Sequence, residues 1–253
     1  MRGQFFTDRG QIRSHNEDAG GIFYNKDGQL LALVADGMGG HKAGDVASEM
    51  ATSLVQTNWE ECNGIDEPEK AEIWISELLQ KVNQKIYEEA TQNKDCQGMG
   101  TTIVVVICTK EFLTIAHVGD SRCYLWSQED FIQLTEDHSL VNELVRKGEI
   151  SKDDAEYHPR KNVLLKALGT EQEIKPDIQS ITWENGNKLL LCSDGLTNKL
   201  VDTELEEYLA LNEAISTIGK TMVEQANERG GEDNISLVLV FHDWTEKEGD
   251  NLC

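Results

Sequence analysis

The chain is short of positive charge: 23 lysines and arginines face 46 aspartates and glutamates, giving a formal net charge of -23. That balance argues against nucleic acid or an anionic membrane as the main partner, because both repel such a surface. Long apolar runs are missing too. The longest, such as Ile103 to Cys108, fall far short of the roughly 20 residues that span a bilayer. The opening MRGQFFTDRG lacks the apolar core of a secretory signal, so a cytoplasmic location is expected. The six cysteines form no CxxC pair. Cys108, Cys123 and Cys192 sit in apolar strand contexts and read as reduced core residues. None is close enough in sequence to a histidine to suggest a thiol nucleophile.

What is present is ordinary for a globular domain. The 253 residues are 39% hydrophobic and 27% charged, within single-domain range. The informative stretch is LALVADGMGGH, residues 31–41. Its first half is a short apolar run of strand type. Its second half sets Asp36 among Gly37, Gly39 and Gly40, which let backbone approach a ligand closely. A capping Asp in a strand-to-helix turn would look the same. The pattern recurs, however. An apolar strand, LLLC, runs into Ser193-Asp194-Gly195; Gly119-Asp120 lies between two strand-like runs; and Gly230-Gly231-Glu232-Asp233 enters the last strand. For Gly119-Asp120 alone a hairpin turn is the simplest reading.

Between these points the chain alternates in type. Short strands are expected at 4–8 and 19–24, and a helix from about Asp45 to Trp59. A second helix starts near Pro68, with Trp74, Leu78, Val82 and Ile86 on one face; the two should pack antiparallel. Strand runs follow from Gly98 to Thr135, near 162–168 and 177–183, and in the final ISLVLVF, with amphipathic helices near 202–211 and 213–228. The polar excursion at about 137–161 reads as a flap between strands, with His138 and His158 as possible substrate contacts. Residues 1–242 are expected to form one domain, and 243–253 a flexible acidic tail.

Asp36, Asp120, Asp194 and Asp233 are thus four glycine-flanked acids, with Arg13, Glu17 and Asp18 in the linker RGQIRSHNEDAG. Converging carboxylates repel unless cations lie between them. Oxygen donors select Mg²⁺ or Mn²⁺, and no His or Cys cluster favours zinc. Two such ions about 3.5–4 Å apart can clamp a phosphate and activate water. The Arg13 fork suits phosphoryl oxygens.

The ordered set TDRGQIRSHNEDA, VADGMGGHKAGDVAS, GMGTT, HVGDSR, LTEDHSLVNELV, LLCSDGLTN and GGEDNIS resembles the protein phosphatase 2C family in its compact bacterial form, from about Thr7 to Val240. The resemblance implies an α+β fold, a four-layer α-β-β-α sandwich. It implies metal-dependent hydrolysis of phosphoserine and phosphothreonine by a metal-bridging water or hydroxide, without a phosphoenzyme. By the same resemblance Asp36 bridges two metals with the Gly37 carbonyl on the second. Asp194 and Asp233 complete the first metal's set. Glu17 and Asp18 hold metal-bound waters, and Arg13 grips the phosphate. Asp120 joins Asp194 on a third, weaker metal, so two to three Mn²⁺ or Mg²⁺ ions are implied. Animal relatives carry a histidine where this chain has Met38, which cannot donate a proton; His41 and a water on the third metal are the alternative acids, and His41 a candidate substrate contact. Relatives oppose a membrane-anchored serine/threonine kinase, and a monomer is expected. A binding module that had lost catalysis would lack these acids, and a nuclease would fit them but not the net charge of -23.

Overall fold

The central strands of this chain are apolar on both faces, so each must be covered twice. The two alternating residue sets of each strand go to different places. In the computed structural model, which describes residues 1–39 and 43–243, strand β3 (Leu30–Met38) sends Leu31, Leu33 and Ala35 into one cluster and Leu30, Ala32 and Val34 into another. The strands before it are β1 (Arg2–Asp8) and β2 (Asp18–Tyr24). After it come helices α1 (Ala43–Glu61) and α2 (Pro68–Gln92), then β4 (Gly100–Thr101), β5 (Ile103–Cys108), β6 (Phe112–Val118), β7 (Arg122–Trp126) and β8 (Phe131–Gln133). The flap contributes α3 (Leu140–Arg146) and α4 (Lys152–Glu156). The remainder is β9 (Asp177–Thr182), β10 (Lys188–Cys192), α5 (Asp194–Thr197), α6 (Asp202–Ala210), α7 (Ile215–Glu228) and β11 (Ile235–Phe241).

The strands form two antiparallel sheets. One runs β1-β11-β10-β7-β8; the other runs β2-β3-β5-β6-β9, with β4 beside β3. Val104, Val106 and Cys108 of the second sheet meet Leu189, Leu191, Val238 and Val240 of the first in the central cluster. On the outside of the second sheet lie α1 and α2, through Ala47, Val55, Ile75, Leu79 and Ile86. On the outside of the first lie α6 and α7, through Leu205, Leu209, Ile218 and Met222. The layers are therefore helix, sheet, sheet, helix, as expected. The chain reverses between α1 and α2, where the Trp59 and Trp74 rings meet edge to face at 5.2 Å. No helix of the described residues is long and apolar enough to cross a membrane.

Two local expectations are corrected. Residues 162–168 are not a strand: only single bridge pairs, Ser139 with Leu164 and Thr101 with Leu168, occur there. The segment is the return leg of the flap, with Leu140 N–H donating to the Val163 carbonyl and Leu165 N–H to the His138 carbonyl. Gly119-Asp120 is not a hairpin turn. β6 pairs with β5 and β9, while β7 pairs with β10 and β8, so Gly119–Ser121 carries the chain from one sheet to the other. The tail beyond Asp243 lies outside the described residues.

Candidate active site

The acids gather at one end of the sandwich because the strands that carry them end there. Asp36 continues the Leu30, Ala32, Val34 set that faces the opposite sheet. Its direct partner across the β2–β3 ladder is Asp18. Asp194 follows β10, Asp233 precedes β11, and Asp120 lies in the crossover between sheets. All five are half-buried.

Their mutual influence is large. Burial, then the charges of Asp18, Asp194, Asp120 and Asp233, push the Asp36 carboxyl well above the usual carboxylate range. Burial pushes Asp18 up to about 7 against hydrogen bonds that favour its charge, with Asp194 and Asp233 adding to the rise. Asp120 is also pushed up to about 7, by burial and then by Asp194. Asp194 is raised by burial and by Asp233. A native cluster of this kind demands a counter-charge.

Arg13 supplies part of it. Its Nη2 lies 2.8 Å from Asp233 Oδ2. Burial works against its charge, but Asp233, Glu17 and Asp36 outweigh that and raise it above the usual arginine value. Glu17 is raised chiefly by burial, against the pull of Arg13. The expected residues Arg13, Glu17, Asp18, Asp36, Asp120, Asp194 and Asp233 are thus each brought within electrostatic reach of at least one other member of the set. His41 lies outside the described residues.

Two glycines allow the strand ends to close up. A Cβ on Gly37 would stand 2.1 Å from the Gly44 carbonyl oxygen and 2.5 Å from that of Glu17. Gly37 N–H instead donates to the Glu17 carbonyl at 3.0 Å. A Cβ on Gly195 would stand 1.9 Å from the Asn234 carbonyl oxygen. These Asp-Gly pairs serve close backbone packing.

Several further residues hold the acids, and the sequence reading passed over them. Asn234 is buried; its Oδ1 accepts from Glu17 N–H at 2.8 Å, and its Nδ2 donates to the carbonyls of Arg9 at 2.8 Å and His15 at 2.9 Å. It fixes the whole linker that carries Arg13 and Glu17. Thr102 Oγ1 accepts from Asp36 N–H at 3.0 Å and lies 2.8 Å from Ser121 Oγ, joining the Asp36 and Asp120 segments. Ser193 Oγ donates to Asp18 Oδ2 at 2.8 Å, and Asn198 Nδ2 to Asp194 Oδ2 at 3.0 Å. Each lies inside or beside a motif already noted, but the motif gave no partner for it.

The donor set suits hard cations. Asp18 Oδ1 and Asp194 Oδ1 are buried and have no hydrogen-bond partner, which is costly unless a cation meets them. An all-oxygen donor set suits Mg²⁺ or Mn²⁺, which keep part of their water shell. A tighter trio stands nearby: ligand atoms of His117, His138 and Asp177 lie within 4.8 Å of one another. It is a poor metal site. His138 Nδ1 already accepts from Gly119 N–H at 3.1 Å, and Lys166 Nζ stands 3.3 Å from both His138 Nε2 and Asp177 Oδ1. An ammonium already fills the role a cation would take.

Comparison with known proteins agrees with this geometry. A family profile described as Protein phosphatase 2C matches residues 9–239. The serine/threonine phosphatase stp of Listeria monocytogenes is 50% identical over 250 residues, 99% of each chain. The structure of serine/threonine phosphatase Stp1 from Staphylococcus aureus superposes with a TM-score of 0.90 at 39% identity, covering 94% of this chain and 93% of that one. The catalytic domain of serine threonine protein phosphatase PstP, solved in complex with two manganese ions, gives a TM-score of 0.82 at 30% identity, covering 94% and 96%. With a cluster of acids at the sandwich end and relatives that match it along nearly its whole length, this chain belongs to the protein phosphatase 2C family and is an enzyme of that family.

Proposed function

We propose that this protein removes phosphate from phosphoserine and phosphothreonine in other proteins, with two to three Mn²⁺ or Mg²⁺ ions as cofactors. The observation that carries the reading is the facing pair Asp18 and Asp36 beside the partnerless Asp194 oxygen. The two manganese ions of the PstP structure support the choice of metal. Asp36, the Gly37 carbonyl, Asp194 and Asp233 would hold the two principal cations. Glu17 and Asp18 would hold their waters, and Asp120 with Asp194 would take a third cation. When bound, such ions polarise phosphoryl oxygens and make water a competent nucleophile at neutral pH.

The chain's own residues do the rest. Arg13, exposed enough to reach solvent, turns its fork to the phosphate and fixes its orientation. Ser193 is committed as a donor to Asp18, so it orients that carboxylate. Water displaces the substrate oxygen directly, without a phosphoenzyme. Met38 cannot protonate the departing alkoxide; His41 and a water held by the third cation are the two proposed proton sources, with His41 also a proposed substrate contact.

The proposal extends to the chain's setting. Residues 1–242 act as one domain, the flap at about 137–161 chooses among phosphoproteins, and 243–253 form an acidic tail. The enzyme works as a cytoplasmic monomer opposing a membrane-anchored serine/threonine kinase. The substrate class is tested with matched phosphothreonine, phosphoserine and phosphotyrosine peptides and a phosphodiester under Mn²⁺. The reading predicts the highest kcat/KM on the first two. Faster turnover of the diester would overturn it.

A further inference from the structure

The crossover that carries Asp120 is gripped on both sides by the root of the flap. His138 takes Gly119 twice. Its backbone N–H donates to the Gly119 carbonyl at 2.9 Å, and Gly119 N–H donates to His138 Nδ1 at 3.1 Å. One residue earlier, Asp137 takes Arg122, from Nε at 2.9 Å and from Nη2 at 2.7 Å. The Asp120 segment is thus held through the Gly119 backbone before it and the Arg122 side chain after it.

His138 is itself built to do this. Its ring stacks on His117 with centroids 4.7 Å apart and planes within 10°. Because Nδ1 accepts, the neutral ring carries its proton on Nε2. That nitrogen lies 3.4 Å from Asp177 Oδ2 and 3.3 Å from Lys166 Nζ, and of the two only the carboxylate can accept its proton. His117, in turn, is bonded to the Glu136 carbonyl at 2.9 Å. Nδ1 of His138 is committed to the Gly119 N–H, the arrangement of a side chain that orients a neighbour.

We propose that His138 is a positioning residue for Asp120: by clasping Gly119 it sets the affinity of the weakest cation site. The proposal rests on the reading above that Asp120 is a metal ligand. It assigns His138 no contact with substrate, in place of the substrate contact that its sequence position suggested.

The test is calorimetric titration of Mn²⁺ into chelated protein, for the wild type, Asp120→Asn, His138→Ala, His138→Gln and His138→Asn. Asparagine can place Oδ1 where Nδ1 stands; glutamine puts its oxygen too far out. Asp120→Asn should remove the weakest binding event. His138→Ala and His138→Gln should weaken that same event on the order of 10–100-fold, the usual effect of losing a residue that orients a ligand. His138→Asn should return it to near the wild-type value, with the tighter events unchanged throughout. If His138→Ala does not fold, the glutamine and asparagine variants decide between themselves. Loss of the event in Asp120→Asn with none of the His138 variants altering it would overturn the clasp and leave the Asp120 reading standing. Equal weakening of all events, or no rescue by a folded His138→Asn, would also overturn the clasp, reducing the role to packing. No change in Asp120→Asn would remove the Asp120 reading and the clasp together.

Discussion

Asp18 and Asp36 stand directly opposite each other on β2 and β3. Like charges in that register destabilise a strand pair, and both carboxyls are further raised by burial and by Asp194 and Asp233. The fold accepts this cost at the point where the proposed cations would remove it.

The first prediction concerns pH. A carboxyl raised in the native state binds more protons there than in the unfolded chain, so stability falls as pH rises between the two pKa values. For Asp18 and Asp120 that window runs from the ordinary aspartate value to about 7. Chelated protein should therefore lose this contribution as pH rises from about 4 to about 7. Saturating Mn²⁺ should stabilise it by an amount that grows across the same window, because metal displaces those protons. Thermal unfolding with chelator and with Mn²⁺ across this range checks it; a Mn²⁺ shift independent of pH would count against the cluster.

Asn234→Ala should unfasten the linker of Arg13 and Glu17. The substitution leaves Glu17 N–H and the Arg9 and His15 carbonyls without their partner, at a cost of about 1–3 kcal/mol. Urea unfolding should show that loss. Limited proteolysis should show faster cleavage within residues 9–17.

Gly195→Ala should act through packing alone. Its methyl would fall 1.9 Å from the Asn234 carbonyl oxygen, and backbone must shift to admit it, costing about 1–3 kcal/mol. Because Gly195 and Asn234 adjoin Asp194 and Asp233, the shift disturbs both acids, and Mn²⁺ affinity should fall with stability.

Arg13→Ala should lower kcat/KM on a phosphopeptide by about 10- to 100-fold, the range for a hydrogen bond to a charged group. Arg13→Lys should recover only part, because an ammonium lacks the planar fork. Steady-state kinetics of both variants under saturating Mn²⁺ check this.

Much of the molecule was legible in the sequence, for an identifiable reason. Strands apolar on both faces, such as Ile103–Cys108 and Ile235–Phe241, can only lie between two covering layers, and Asp-Gly at strand ends marked the acids that gather at one end of the sandwich. What was not legible depended on partners far away in the chain. Val163 and Leu165 suggested a strand, yet both are exposed because no sheet edge meets them. Gly119-Asp120 suggested a hairpin, since neighbouring strands commonly pair, but β6 already had β5 and β9. Asn234 and Thr102 looked like ordinary polar residues until the Glu17 and Asp36 backbones were brought to them.

The most direct test is hydrolysis of a phosphothreonine peptide by chelated protein, before and after Mn²⁺ is restored, beside Asp36→Asn and Asp194→Ala. The account predicts no turnover without metal, recovery with Mn²⁺, and near-complete loss in both variants. Full activity in the chelated protein, or in a folded Asp36→Asn, would contradict it.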